Sequence, residues 1–85
     1  MKITFKRSDF QGNSYFSKDC PMQRAAHRND PTVIQVNDGG IKYMDNHTKL
    51  LTKSGMRLDH KLANYTNQAD WGRRKKLFIG KSFYI

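Results

Sequence analysis

Apolar and polar residues alternate cleanly at the start of the chain, with Ile3 and Phe5 on one side and Lys2, Thr4 and Lys6 on the other. This period of two predicts a half-buried strand over residues 2–6. Arg7-Ser8-Asp9 interrupts it, and Gln11-Gly12-Asn13 is a turn signal ahead of a short second strand at Ser14–Phe16. The spacing then becomes helical. Ser17 or Asp19 caps a helix with Pro21 in its first turn, where the missing N–H costs nothing. Met22, Ala25 and Ala26 form its inner stripe, while Arg24 and Arg28 lie outward at i,i+4. The helix stops near Asn29, because Asp30 stands before Pro31 and is driven out of the helical region.

The next run, Thr32–Asn37, is rich in β-branched residues and places Ile34 and Val36 on one face. Asp38-Gly39-Gly40 makes a hairpin turn, and Ile41–Met44 returns as the partner strand. After the loop Asp45-Asn46-His47, a further strand is expected at Thr48–Thr52, ended by Lys53-Ser54-Gly55. Leu58, Leu62, Tyr65 and Ala69 recur at helical spacing and predict a second helix over Leu58–Trp71. Ser54 or Asp59 would cap that helix and Gly72 would terminate it. A last strand begins at Leu77-Phe78-Ile79, breaks at Gly80 and resumes at Ser82–Ile85. The order predicts one α+β domain spanning residues 1–85, a mostly antiparallel sheet of about four or five strands with two helices packed on it.

Composition changes this picture by adding charge. Sixteen Lys and Arg face seven acidic residues, for a formal net charge of +9, and every acid is Asp. Without Glu, the usual i,i+4 neutralisation of Lys and Arg on helix faces is absent. Such an excess repels itself in the compact state and points to a phosphate-bearing or acidic partner, the alternative being charge that serves solubility alone. Aromatics at 12% argue for a folded domain over a basic tail. No apolar stretch approaches the roughly 18 residues that span a bilayer. The N-terminal residues lack the features of a secretory signal, and the lone Cys20 excludes an internal disulfide. The expected location is the cytoplasm. The sequons at Asn46 and Asn64 are then coincidental.

Candidate chemistry narrows quickly. Cys20 sits at a helix start with His27 seven residues on, a conceivable nucleophile pair, but roughly 10 Å of helical rise separates them and no oxyanion feature accompanies them. A thiol covering the core is the expected role. Cys20, His27, His47 and His60 show no metal-ligand spacing. Gly80-Lys81-Ser82 echoes a phosphate-binding loop, yet Lys75 stands where its first glycine belongs and no helix follows. The Asp residues fall mostly at turn and cap positions, so a magnesium-dependent nuclease is a weak reading. The residues imply no catalytic group, no metal and no cofactor.

The densest positive segment is Arg73-Arg74-Lys75-Lys76, flanked by Trp71 and Phe78 and followed by Lys81. Lys and Arg neutralise phosphates and release counterions, and adjacent aromatic faces stack on bases. Cations at a helix C-terminus also complement its dipole, but four in a row exceed that need. Arg24 and Arg28 form a second, smaller basic stripe, which a solvated helix face explains almost as well.

Ser17-Lys18-Asp19-Cys20-Pro21-Met22-Gln23-Arg24-Ala25-Ala26-His27-Arg28, with Val33-Ile34-Gln35-Val36 and the Gly39-Gly40 hairpin, resembles small accessory proteins of phages and prophages. That group includes inhibitors of host defence, anti-CRISPR proteins among them, and small regulators. The resemblance implies a bacterial host cytoplasm and carries over no catalytic residue. Two binding expectations follow. The first is a non-enzymatic domain engaging nucleic acid through phosphates, with Arg73, Arg74, Lys75, Lys76, Lys81 and Trp71 as main contacts and Arg24 and Arg28 as secondary ones. The second is an anti-CRISPR-like inhibitor docking on an acidic or nucleic-acid-binding surface of a host protein complex, anchored by Trp71, Phe83 and Tyr84.

Overall fold

The alternation at residues 2–6 is answered at the far end of the chain. In the computed structural model, which describes residues 1–11, 20–37 and 39–85, strand β1 (Lys2–Thr4) pairs antiparallel with the last strand, β5 (Ser82–Tyr84). The expected strand at Ser14–Phe16, the capping side chains of Ser17 and Asp19, and Asp38 lie outside the described residues. Ile3 stands opposite Phe83 and both are fully buried. Bonds from Phe5 N–H to the Lys81 carbonyl (2.9 Å) and from Gly80 N–H to the Phe5 carbonyl (3.0 Å) carry the pairing past the strand ends.

A 3-10 turn at Arg7–Phe10 follows β1 and drives Phe10 into the core. Helix α1 (Pro21–Asn29) buries Pro21, Met22, Ala25 and Ala26, the expected stripe, and ends at Asp30. The Asp30 carboxylate accepts from the N–H (3.1 Å) and the hydroxyl (2.6 Å) of Thr32, which turns the chain into the next strand.

Strands β2 (Val33–Asn37), β3 (Gly40–Tyr43) and β4 (Thr48–Leu50) form an antiparallel meander in the order β2-β3-β4. The predicted hairpin is present, but its inner face differs from expectation. The register slips between Val33 and Gln35, a bulge that inserts one residue. Val33 and Val36 are therefore buried and Ile34 is 42% exposed. Gly39 has φ +77, and a Cβ there would stand 2.7 Å from the Met56 sulfur, so only glycine fits without displacement.

Helix α2 spans Lys53–Thr66, starting earlier and ending earlier than the apolar spacing suggests. Neither Ser54 nor Asp59 caps it. The Thr52 hydroxyl oxygen accepts from Gly55 N–H at 3.3 Å and donates to the Tyr84 carbonyl at 2.6 Å, joining the helix start to β5. Gly72 does not terminate α2. It lies within a separate four-residue helix, α3 (Trp71–Arg74), which runs into a 3-10 turn at Lys75–Phe78.

That turn replaces the expected strand at Leu77-Phe78-Ile79. Phe78 is drawn inward by the rings of Phe10, Trp71 and Tyr65, with centroids 6.2, 6.0 and 5.8 Å away. The Ile79 N–H bonds back to the Lys76 carbonyl (3.3 Å), leaving Leu77 67% exposed and Ile79 38% exposed. The fold is thus α+β, with five strands in two antiparallel sheets and three helices among the described residues, where one sheet and two helices are predicted. Its core joins the aromatic cluster to the apolar faces of α1, α2 and the meander.

Candidate nucleic-acid interface

The two basic segments converge on one short piece of backbone, the 3-10 turn Arg7–Phe10. From α1, Arg24 Nη1 donates to the Ser8 carbonyl at 3.2 Å. One turn on, Arg28 Nη2 donates to the Asp9 carboxylate and to the Thr4 carbonyl, each at 2.9 Å. From the other side, Lys75 Nζ donates to the Phe10 carbonyl at 3.2 Å. Asp9 is buried and also accepts from Lys6 N–H at 2.8 Å. Arg28 is therefore committed to holding a buried carboxylate, and Arg24 and Lys75 tie their elements to the same turn.

The four cations of Arg73–Lys76 divide by role. Arg74 Nε donates to Asp70 at 2.6 Å, and its guanidinium lies 5.3 Å from the centre of the Tyr65 ring. This bond and the neighbouring carboxylate push the Arg74 pKa above its ordinary value. Arg73 and Lys76 are exposed, and no ion pair involves them among the described residues. A helix of four residues has little dipole to complement, so capping does not account for them.

Lys75 and Lys76 reach across to Arg7, a residue the sequence reading did not single out. Together the three cations line a groove of about 300 Å³ whose apolar floor is Phe10 and Ile79, with Gln11 at its rim. A second groove, about 180 Å³, is lined by Leu77 and Phe78 of the same turn with Leu58, Tyr65, Lys61 and Lys81. Among the described residues, no carboxylate lines either groove. Arg7 and Lys61 were missed because each lies outside the Arg73–Lys76 run in sequence and joins it only through folding.

The aromatic residues fall differently from expectation. Trp71 is half-buried against Phe10 and Phe78, so its ring supports the turn more than it faces outward. Phe83 is fully buried, because its pairing with Ile3 turns it into the core, and it offers no anchor for a partner. Tyr84, its neighbour in the strand, is exposed.

Asp30 and Asp45 serve local structure. Two bonds from Thr32 hold the Asp30 pKa below its ordinary value, and two from His47 do the same for Asp45. The His47 ring also stacks on Tyr43 at 4.1 Å. Among the described residues, no group of three His, Cys or Asp is placed to hold a metal ion. Burial pushes the Cys20 thiol pKa up, and His27 is engaged elsewhere, with Nδ1 2.8 Å from the Val33 carbonyl. No helix among the described residues is long and apolar enough to cross a membrane. No protein-family model, no curated protein and no solved structure matches the chain.

Proposed function

We propose that this protein binds nucleic acid without catalysing a reaction, by placing phosphates on the cationic surface around the Lys75–Phe78 turn. The observation that carries this reading is the groove lined by Arg7, Lys75 and Lys76 together with Phe10 and Ile79, with no carboxylate among its described lining residues. Charges so arranged repel each other at a cost to the fold, and an anion relieves that repulsion. Arg73 and Lys81 are also exposed, and Lys81 lines the second groove. Phosphate-dominated contacts give weak sequence preference and steep salt dependence.

The test is binding of short labelled DNA and RNA across a salt series. Each phosphate-contacting cation removed should lower the slope of log affinity against log salt by about one. Arg73→Ala combined with Lys76→Ala should therefore weaken binding of every sequence similarly, with the thermal midpoint little changed. Arg74→Ala should chiefly cost stability, since Arg74 holds Asp70 and covers Tyr65. Absence of binding to any nucleic acid at low salt would overturn the proposal. Capture of a host protein that persists after nuclease digestion would then favour the inhibitor implied by the phage resemblance.

A further inference from the structure

Resting on that reading, we propose that the partner is a single strand, crossing the Lys75–Phe78 turn as a ridge with one base seated in each of the two grooves. The two grooves are built alike. Each has an apolar floor, Phe10 with Ile79 in one and Tyr65 with Leu77 in the other. Each is walled by cations, Arg7, Lys75 and Lys76 in the first, Lys61 and Lys81 in the second. The Phe78 ring lines the second groove and packs against Phe10, which lines the first, at 6.2 Å and against Tyr65 at 5.8 Å.

This alternation of cation and apolar surface is what distinguishes the possible nucleic-acid partners. A duplex keeps its base faces stacked inside and offers phosphates outside, so the apolar floors would meet only charged or hydrated groups. An unpaired strand exposes base faces between its phosphates and covers apolar surface while neutralising cations. The exposed side chains along the ridge follow that order, with Lys76, then Leu77 and Ile79, then Lys81. Leu77 and Ile79, which line the grooves, expose apolar surface that a purely phosphate-binding site does not use. Grooves of about 300 and 180 Å³ also suit small flat groups better than a large folded ligand.

The experiment compares three probes of equal length, about 12 nucleotides, within the range that small single-strand-binding folds cover. They are a labelled oligothymidine, the same strand annealed to oligoadenosine, and an abasic strand with the same phosphates. The oligothymidine should bind at least about fivefold tighter than either of the others, the smallest effect expected from seating one base. Arg7→Ser with Lys76→Ser, and Lys61→Ser with Lys81→Ser, should each weaken it more than the charge-matched pair Lys2→Ser with Lys49→Ser. Equal or tighter binding of the duplex or the abasic strand would overturn the single-strand inference and leave the nucleic-acid reading standing. Equal losses in all three double variants would show that the ridge is not the site. Failure of all three probes to bind would remove both proposals together.

Discussion

At the scale of single residues, Asp9 has the most consequence for its size. Its carboxylate is 3% exposed and holds Arg28 and the Lys6 N–H, so it fixes the turn on which both basic segments rest. Asp9→Ala should destabilise the protein by about 1–3 kcal/mol, since it leaves the Lys6 N–H without its acceptor and Arg28 with only the Thr4 carbonyl, and a urea titration reads that loss. Cys20 gives a pH signature. Its folded-state pKa lies above the ordinary 9.0, so above that pH the unfolded chain releases a proton that the folded chain keeps. Stability should therefore fall as pH rises past about 9, and Cys20→Ala should remove the thiol's share of that fall. Asp30 and Asp45 act in the opposite direction. Their depressed pKa values contribute stability that is complete above the ordinary 3.8 and is lost as pH falls through the folded-state values.

Elements show where local pattern meets tertiary demand. Strict alternation would place Ile34 beside Val36, whereas the bulge gives the interior to Val33 and Val36. Val33→Ala should cost about 2 kcal/mol and Ile34→Ala well under 1, and chemical denaturation of the two variants distinguishes the registers. Thr52 was concealed from the sequence reading because the first turn of α2 has little apolar character and the spacing begins only at Leu58. Thr52→Ala should cost about 1–2 kcal/mol, since it removes the cap on Gly55 and the link to Tyr84. The run Leu77-Phe78-Ile79 has strand composition, yet all the pairing observed for β5 is with β1 at Ser82–Tyr84. Inward packing of Phe78 among three rings favours a tight turn there, which is why cations and apolar side chains emerge around it.

Across the whole molecule, charge and burial set opposing responses to salt. A net charge of +9 repels itself in the folded state, and salt screens that repulsion. Raising ionic strength from low to near-physiological values should raise the thermal midpoint while weakening nucleic-acid affinity. Calorimetry and anisotropy on the same samples check the pair of signs. The pairing of the first and last strands sets the geometry behind this. It brings Phe5 against Phe83 at 5.5 Å and Phe10 at 5.2 Å, and so carries the Arg7–Phe10 turn to the segment that ends in Phe78.

The α+β class, the helix stripe Met22-Ala25-Ala26, the Gly39-Gly40 hairpin and the excess of positive charge were legible in the sequence alone. Each depends on residue type and short-range spacing, which local sterics and the hydrophobic effect read directly. The division into two sheets, the bulge at Ile34 and the fate of Leu77–Ile79 were decided by tertiary structure, because each depends on which distant rings and strands compete for the same interior. The same holds for the candidate site. Arg73–Lys76 is visible as a run, but its separation into holding residues (Arg74, Lys75) and exposed ones (Arg73, Lys76) comes only from contacts with Asp70, Tyr65 and Phe10. The recruitment of Arg7 and Lys61, far away in the chain, has the same origin: folding places charges in space according to what must be buried beneath them.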